Sequence, residues 1–357
     1  PRCWASATSS KRQTCCTLPL PVQAGEGFFF ARNPRMTDPR STALVADIGG
    51  TNARFALADI PGPQPVLREA KTLPTAAYAT LQHAVESYLA QVGAEPELAS
   101  FAVACPVNGD DIRLTNRAWA FSQSELQAAL GFREQVVIND FGAAALAALA
   151  MGDDDRVILH GTPEVQRRGP MTVIGPGTGL GVALLVGDDA RGWQVVETEG
   201  GHVSFAPQVE EEQRIADWVA ARHHGRCSNE RLLCGTGLSY IDAVLGSHDQ
   251  LRDPAVIVAD AMEGHDVIAR RTLARFCSIF GSVVGDAALI HGAKTVSIAG
   301  GIIPRFIPYL RASAFRERFL AKGRFAAYLE SVAIHVITHD APGLIGAATA
   351  LHKRLEA

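Results

Sequence analysis

The amino-acid sequence predicts an α/β protein made of two mixed lobes. The pattern of a strand, a glycine-rich turn and a second strand occurs at residues 43–59 and again at residues 171–186. After each occurrence, strand patterns alternate with helical patterns, which is typical of sheets covered by helices. The second occurrence starts about 125 residues after the first, a period too long for a solenoid array. A chain of 357 residues is long enough for two such lobes, each with its own core.

The first half opens with a predicted hairpin. The apolar run ALVADI predicts a strand that ends at a GGT segment, and RFALAD predicts the strand after it. Residues 76–92 carry apolar groups at helical spacing, and Ser122 with Glu125 forms a capping-box signature before another helix. The predicted strands of this half lie at residues 43–48, 54–59, 66–73, 98–107 and 136–140, the last followed by a helix.

The second half repeats this organisation. Its predicted strands lie at residues 171–186, as a pair around a glycine turn, and at 193–201, 295–302 and 332–339. Its predicted helices lie at residues 211–224, 236–246, 265–292 and 343–355. Ligands of open α/β sheets bind at the carboxyl ends of strands. The polar residues and glycine turns that follow the strands are therefore the candidate functional residues.

The composition argues against several classes of protein. A net charge of -4 leaves no broad basic surface, so we expect no nucleic-acid partner. No apolar run approaches the roughly 20 residues that cross a bilayer, so we expect no membrane association. The seven cysteines are odd in number and form no CxxC pair, which favours reduced thiols and a cytoplasmic location. An alternative zinc site lacks paired-ligand spacing; its ligands would be His223, His224, Cys227 and Cys234.

Residues 1–41 differ from the rest of the chain. They are rich in Ser, Thr, Pro, Arg and Cys and show neither helical nor alternating periodicity. They also lack the continuous apolar segment of a secretory signal. We expect a disordered or extraneous N-terminal extension, with the functional protein beginning near Met36.

Three glycine clusters follow apolar strands and are candidate phosphate-binding turns. Glycine allows positive φ and a close approach of the backbone, so that successive N–H groups can bind an anion. One such cluster is usually only a turn, but three that each close a buried strand favour a shared role. Neither a Walker A sequence nor a GxGxxG segment between strand and helix is present. The clusters span residues 47–52, 175–181 and 299–302. Their candidate phosphate-binding residues are Gly49, Gly50 and Thr51; Gly177, Thr178 and Gly179; and Gly300 and Gly301.

Asp47 ends its strand beside the first of these turns. A carboxylate there would repel phosphate unless a cation lay between them, and Mg²⁺ takes one or two protein carboxylates while keeping several waters. We therefore expect Asp47 to hold Mg²⁺ through water. The alternative is an aspartate that caps its own turn.

Two further polar groups follow predicted strands. Asn139 and Asp140 end the strand VVIND, and Asp140 is the candidate base that accepts a hydroxyl proton in phosphoryl transfer. The alternative is that Asp140 caps the next helix. Glu199, His202 and Glu230 could bridge adjacent sugar hydroxyls by charge-assisted hydrogen bonds, although each alone would more often be a surface or turn residue.

Seven segments, in this order, resemble the bacterial hexokinase-type glucokinases, the family without a zinc motif. The segments are LVADIGGTNARFALAD, VVINDFGAAALAA, GPGTGLGVALLV, ETEGGHVSFAP, NERLLCGTGL, SIAGGI and GLIGAATAL, and they span about residues 43–355. The resemblance implies a duplicated ribonuclease H-like fold of the actin-like ATPase superfamily, with two lobes around a central cleft. The implied division is 42–150 plus 341–357 for the small lobe and 151–340 for the large lobe. The N-terminal extension has no counterpart in this family, and the CxCGxxGC zinc signature of a related family is absent.

The resemblance also implies an activity: a phosphotransferase with an alcohol group as acceptor, which converts ATP and glucose to ADP and glucose 6-phosphate. It implies ATP with Mg²⁺, a homodimer and a cytoplasmic location. By matching position, Asp140 would be the catalytic base. The substrate ligands would be Asn139, Asp140, Glu199, His202 and Glu230. The nucleotide contacts would be Ala46, Asp47, Ile48, Gly49, Gly50, Thr51, Gly177, Thr178, Gly179, Gly300 and Gly301.

Three alternative functions remain open from the sequence. A kinase for fructose, mannose or an amino sugar would share the glycine turns, so the pocket residues must distinguish it. A sugar-sensing regulator would need a helix-turn-helix and basic charge, which the first 41 residues do not show. An actin-like ATPase or chaperone would not require the sugar-binding residues.

Overall fold

The computed structural model describes residues 42–60, 64–114, 119–161 and 169–356. The predicted N-terminal extension at residues 1–41, including Met36, lies outside the described residues. The strands are β1 (Thr42–Ile48), β2 (Asn52–Asp59), β3 (Val66–Pro74), β4 (Leu98–Val103), β5 (Asp111–Arg113), β6 (Ala120–Ser122), β7 (Glu134–Asn139), β8 (Arg156–His160), β9 (Met171–Pro176), β10 (Leu180–Asp188), β11 (Gly192–Thr198), β12 (Thr295–Ile298) and β13 (Ala333–Ile337). The helices are α1 (Leu81–Val92), α2 (Gln123–Leu130), α3 (Asp140–Ala150), α4 (Glu210–Arg222), α5 (Asn229–Leu232), α6 (Gly235–Gly246), α7 (Pro254–Glu263), α8 (Val267–His291), α9 (Ile307–Ala312), α10 (Phe315–Leu320), α11 (Ala326–Glu330) and α12 (Pro342–Glu356).

The first sheet has five strands in the order β3-β2-β1-β4-β7. β1 and β2 form the predicted antiparallel hairpin, in which Ile48 pairs with Ala53 across the turn at residues 49–52. β1, β4 and β7 are parallel, and Ile48, Val103 and Asn139 lie in register at the ends of their strands. The carboxyl ends of these three strands therefore meet at one edge of the sheet. β5 and β6 pair separately in a two-stranded sheet.

The second sheet has six strands in the order β11-β10-β9-β12-β13-β8. β9 and β10 form the second predicted hairpin, with Pro176 paired to Leu180. β12 is parallel to both β9 and β13, so the three carboxyl ends again share one edge. β8 pairs antiparallel with β13 and was not predicted from the sequence, because its five residues show no strict alternation.

Helices α3 and α12 lie side by side between the two sheets. One apolar cluster joins them to the second sheet around Val173, and another joins them to the first sheet around Val45. At their closest approach, a Cβ on Gly346 would lie 1.8 Å from the carbonyl oxygen of Ala143. Only glycine permits this contact, and the alanines of α3 keep the neighbouring side chains small.

The outer faces of the sheets are covered by the remaining helices. α1 and α2 contribute to the core on the outer face of the first sheet, around Phe101 and Leu126. Helices α4 to α8 and α10 contribute to a larger core on the outer face of the second sheet, around Ile174 and Phe280. The layers are therefore helix, sheet, helix, sheet, helix.

Helix α8 corrects the expectation that no apolar segment is long enough to cross a bilayer. It has 25 residues and is, by length and composition alone, apolar enough to cross a membrane. The structure buries 61% of its apolar 18-residue segment inside the protein, where Phe276 and Phe280 belong to the core of the second sheet. A buried core helix has this composition because both its faces contact apolar neighbours.

Candidate active site

The carboxyl edges of the two sheets face each other across the start of α12. This helix begins just after β13, and a Cβ on Gly343 in its first turn would lie 2.6 Å from the Cγ and Oδ2 atoms of Asp47 in β1. The start of α3 makes a second junction, because a Cβ on Gly181 in β10 would lie 1.9 Å from the ring of Phe141. The glycines at 343 and 181 thus allow the turns of the first sheet to approach those of the second.

The first glycine turn is held by Thr75, a residue that the sequence analysis did not select. The Thr75 hydroxyl donates to the carbonyl oxygens of Gly50 and Thr51 at 2.9 and 3.0 Å, and its N–H donates to Thr51 at 2.9 Å. In a trans peptide the carbonyl and the following N–H point in opposite directions. The N–H groups of Thr51 and Asn52 are therefore directed away from Thr75, and the Thr51 side chain is exposed.

Thr75 also explains why the first helix is shorter than predicted. The pattern predicted a helix over residues 76–92, but α1 begins at Leu81. The chain first makes a short 3-10 turn at Thr75–Ala77, where Thr75 is fully buried against the glycine turn. Thr80 then caps α1 by accepting the His83 N–H at 3.1 Å.

The second and third glycine turns lie against each other. The Ala299 N–H donates to the carbonyl of Ile174 at 3.0 Å, which extends the β9–β12 pairing into the third turn. A Cβ on Gly175 would lie 2.0 Å from the Ala299 carbonyl oxygen. Gly300 has φ of +86°, and a Cβ there would lie 2.5 Å from the carbonyl oxygen of Pro176. These glycines are required by the close packing of the two turns.

The tips of these turns are open. A Cβ on Gly177 or Gly301 would meet no atom within 4 Å among the residues that the structure describes. Thr178 and Gly301 are exposed. The packed glycines therefore fix the backbone, and the open ones leave space beside it for a ligand.

Asn139, not Asp140, caps helix α3, so the interpretation of Asp140 as the helix cap is wrong. The Asn139 Oδ1 atom accepts the N–H groups of Phe141 and Gly142 at 2.9 and 3.1 Å. The Asn139 Nδ2 atom donates to the carbonyl of Cys105 at 3.1 Å. A side-chain amide has two N–H donors and two acceptor positions, so these contacts leave Asn139 one N–H for a ligand.

Asp140 is the first residue of α3, and its environment makes it more basic than an ordinary aspartate. Burial, followed by the charge of Asp47 and that of Glu199, raises its pKa to about 6, although the N–H of Phe141 opposes the shift. Asp140 therefore lies within electrostatic reach of one carboxylate on the first sheet and one on the second. A group with this pKa is largely ionised at neutral pH and can accept a proton.

Asp47 is a second, half-buried carboxylate. Burial raises its pKa, and the guanidinium of Arg54, its partner across the β1–β2 hairpin, opposes this shift. The charge of Asp47 also raises the pKa of Asp140, and such repulsion between two poorly solvated carboxylates marks a position where a cation would be stabilised. Within the described ranges no group of three or more His, Cys, Asp or Glu side chains could hold a metal ion. Asp47 nevertheless fits Mg²⁺, since that ion commonly uses one or two carboxylates and keeps its waters.

Glu199, His202 and Glu230 form a separate cluster. His202 lies between the two carboxylates, with Nε2 3.7 Å from Glu199 and Nδ1 3.8 Å from Glu230. The Asn229 N–H donates to the Val203 carbonyl at 2.9 Å, and this contact brings the segment after β11 beside α5. The side chains are 66%, 55% and 26% exposed in the order Glu199, His202, Glu230. The gaps between them exceed hydrogen-bond distance, so each retains capacity for a hydroxyl.

Glu230 connects this cluster to the second glycine turn. Its Oε2 atom accepts the Leu180 N–H at 3.1 Å, while its Oε1 atom is the one nearest His202. A Cβ on Gly179 would lie 2.5 Å from Oε2, so glycine at 179 makes room for the carboxylate. The sequence could not reveal this contact, since the two residues are far apart in the chain.

The residues of the alternative zinc site are engaged elsewhere. The His223 Nε2 atom lies 3.2 Å from the hydroxyl of Tyr240. Burial raises the pKa of Cys227 to about 11, and burial also raises the pKa of Cys234. Both thiols are therefore protonated in the metal-free protein, and in the described part of the chain no group of three or more His, Cys, Asp or Glu side chains is placed to hold a metal ion.

Comparison with known proteins settles the family. The family model described as Glucokinase matches residues 44–354. The chain belongs to the glucokinase family. A glucokinase from Hahella chejuensis is 45% identical over 318 residues, which are 87% of this chain and 96% of that protein. A glucokinase from Chromohalobacter salexigens is 44% identical over 326 residues, 89% of this chain and 98% of that one.

A solved structure extends the glucokinase comparison to the fold. The crystal structure of glucokinase from an Antarctic psychrotroph superposes with a TM-score of 0.77 at 35% identity, covering 88% of this chain and 99% of that chain. The predicted fold class, the duplicated ribonuclease H-like fold of actin-like ATPases, is confirmed, as is the predicted glucokinase family. The chain is an enzyme, a sugar kinase. The roles of individual residues and the division into lobes remain predictions.

Proposed function

We propose that this member of the glucokinase family transfers the terminal phosphoryl group of ATP to the 6-hydroxyl of D-glucose, the first step of glucose use. The observation that carries the residue-level proposal is the position of Asp140. It precedes Phe141, whose ring packs on Gly181 of the second glycine hairpin, and its pKa is raised to about 6 by burial and by the charges of Asp47 and Glu199. A base between a phosphate site and a sugar site is what transfer to a hydroxyl requires.

Asp140 acts as the general base. The glucose O6 atom attacks the terminal phosphorus, the bond from that phosphorus to the bridging oxygen of ADP breaks, and the O6 proton passes to the Asp140 carboxylate. The transition state of phosphoryl transfer is loose, so positioning and charge neutralisation contribute more than strong basicity. A pKa of about 6 is sufficient for this role at neutral pH.

The glycine turns bind the phosphates of the nucleotide through backbone N–H groups. The residues assigned to this role are Ala46, Asp47, Ile48, Gly49, Gly50 and Thr51 in the first turn, Gly177, Thr178 and Gly179 in the second, and Gly300 and Gly301 in the third. Asp47 would hold Mg²⁺ through water, and the ion would neutralise phosphate charge when bound. The packing of Gly175 and Gly300 at the base of the second and third turns supports a preformed site.

The polar cluster recognises the sugar. Glu199 and Glu230 accept hydrogen bonds from adjacent hydroxyls, His202 contributes a ring nitrogen, and Asn139 contributes its remaining N–H. Closure of the two lobes would exclude water and restrict ATP hydrolysis without sugar. The open spacing of 3.7 and 3.8 Å around His202 supports a cluster completed by hydroxyl groups.

We also retain the proposals that the protein is a cytoplasmic homodimer without nucleic-acid or membrane partners. They rest on the resemblance and on composition. The burial of helix α8 in the core is compatible with them. Size-exclusion chromatography with light scattering tests the dimer directly.

One assay tests the proposed function. ADP release is measured by a coupled enzyme system with glucose, fructose, mannose and glucosamine at equal concentrations, with a no-sugar control. We expect the highest kcat/KM with glucose and little release without sugar. A higher kcat/KM with another hexose would show that this hexose, and not glucose, is the preferred substrate. Release without sugar at the glucose-driven rate would overturn the proposed closure mechanism.

A further inference from the structure

Glu197 has an unusual position for a residue of strand β11. Its Oε1 atom accepts the backbone N–H of Asn139 at 3.1 Å, so it contacts the end of β7 in the first sheet although it belongs to the second. A Cβ on Gly142 would lie 2.6 Å from Oε1 and 3.2 Å from the Cγ and Cδ atoms of Glu197. The side chain therefore lies against the first turn of α3.

The contact of Glu197 lies beside Asp140, the proposed base, at the start of α3. Asn139 caps α3 through its side chain and is tied to Cys105 through its amide, while Asp140 is the next residue. The main-chain N–H of Asn139 donates to Glu197 of the second sheet. A carboxylate at the N-terminal end of a helix is also stabilised by the helix dipole.

The same residue is close to the sugar cluster along the chain. Strand β11 ends at Thr198 and Glu199 follows it, so Glu197 lies two residues before a proposed sugar ligand. One side chain thus connects the strand leading to Glu199 with the helix that begins at Asp140. The charge of Glu199 raises the pKa of both Glu197 and Asp140, which agrees with the contact between Glu197 and Asn139.

We propose that Glu197 is a positioning residue for phosphoryl transfer: by accepting the Asn139 N–H and packing on Gly142, it sets the placement of Asp140 relative to Glu199. This inference rests on the proposed function of Asp140. The hydrogen bond, not the charge of Glu197, carries the effect. Displacement of a catalytic group by about 1 Å can cost on the order of 100-fold in rate.

Two variants separate the hydrogen bond from the charge. Glu197→Gln keeps the side-chain length and an acceptor oxygen but removes the charge. Glu197→Asp keeps the charge but withdraws the acceptor by about one bond length, roughly 1.5 Å. We expect Glu197→Asp to lower kcat about 10- to 100-fold, with the KM for ATP within twofold of wild type, and Glu197→Gln to retain at least half of the wild-type kcat. Gln194→Ala on the same strand is the matched control and should leave kcat unchanged.

Gly142→Ala tests the contact from the other side. The added Cβ would displace the Glu197 carboxylate, since the three nearest side-chain atoms at this position belong to Glu197. We expect kcat to fall as in Glu197→Asp. Combining Gly142→Ala with Glu197→Asp should lower kcat no further than the larger single effect, because both changes remove one contact. If one single variant folds poorly, the other still tests the contact by itself, because the two changes disturb it from opposite sides.

The outcomes are distinct. Wild-type kcat in Glu197→Asp, equal losses in Glu197→Asp and Glu197→Gln, or multiplied losses in the double variant would each overturn the positioning role. Retention of activity by Asp140→Asn, measured in the same series, would instead refute the assignment of Asp140 as the base. The two proposals can therefore fail separately.

Discussion

The two carboxylate groups of the active site differ in their surroundings. Asp47 and Asp140 are largely enclosed at the meeting edges of the two sheets, and burial is the first cause of the raised pKa of each. Glu199 and His202 are more than half exposed, and their cluster contains gaps of 3.7 and 3.8 Å. The charges of Asp47 and Asp140 are therefore poorly solvated before any substrate binds, whereas Glu199 and His202 are solvated.

This difference assigns different tasks to the two regions. Charges in a poorly solvated place interact strongly and need no reorganisation during the reaction. Exposed charges are screened by water and gain strength only when a ligand displaces it. We therefore expect changes in the buried pair to act mainly on kcat and changes in the exposed cluster to act mainly on glucose affinity.

Asp140→Asn should give the largest effect. The amide keeps the shape of the side chain but cannot accept the hydroxyl proton, so kcat should fall about 100- to 10,000-fold, the range typical of a lost general base. The KM for ATP should change much less. Steady-state kinetics with a circular-dichroism check of folding measures this, and a variant that keeps a tenth of the wild-type kcat would contradict the base assignment.

The pH dependence should follow the buried carboxylate. Because the pKa of Asp140 is raised to about 6, the carboxyl group becomes protonated, and unable to act as a base, as the pH falls through that value. The kcat/KM for glucose should therefore fall about 10-fold between pH 7 and pH 5. A profile measured in a buffer of constant ionic strength tests this. An acid limb centred near pH 4 would show that the environment of Asp140 is not retained in solution.

Glu199→Gln should act on binding. Losing one charge-assisted hydrogen bond at an exposed site should raise the KM for glucose about 5- to 10-fold and leave kcat within about threefold. Titration of glucose by isothermal calorimetry separates affinity from turnover. Equal glucose affinity in the variant and the wild type would remove Glu199 from the sugar site.

Glu230→Gln should give the smallest effect of the four, and its readout is the KM for ATP. Glu230 belongs to the exposed cluster but also accepts the Leu180 N–H beside the second glycine turn. The amide oxygen can keep that contact, so the KM for ATP should stay within about twofold, while Glu230→Ala should raise it about threefold. Glu199→Ala, which lacks such a contact, is the control. If both alanine variants leave the KM for ATP unchanged, the hydrogen bond from Leu180 to Glu230 does not contribute to ATP binding.

Local patterns were sufficient to predict the order of most strands and both glycine hairpins. The turn after Ile48 and the cap at Ser122, whose Oγ accepts the Glu125 N–H at 3.1 Å, are features of a few consecutive residues. The family resemblance supplied the candidate roles. What could not be predicted depends on residues distant in the chain.

Three contacts show this limit. Thr75 holds the carbonyls of the first turn, Glu197 holds Asn139, and Ala299 packs on Gly175. In each, the partner is identified only by the folded chain, and nothing about a lone threonine or glutamate in a strand pattern distinguishes it from a surface residue. The correct cap of α3 could not be selected either, because asparagine and aspartate are both favourable at that position.

The layer of helices between the two sheets has a consequence for biosynthesis. Helix α12, close to the carboxyl end, packs against β1 near the start of the described chain, and both contribute to one apolar cluster. Such contacts between distant segments form slowly, because a long loop must close before they contribute stability. A nascent chain emerging from the ribosome would expose the part of this inner face that α12 covers until that helix had been translated, and ribosome-associated chaperones would have reason to shield it.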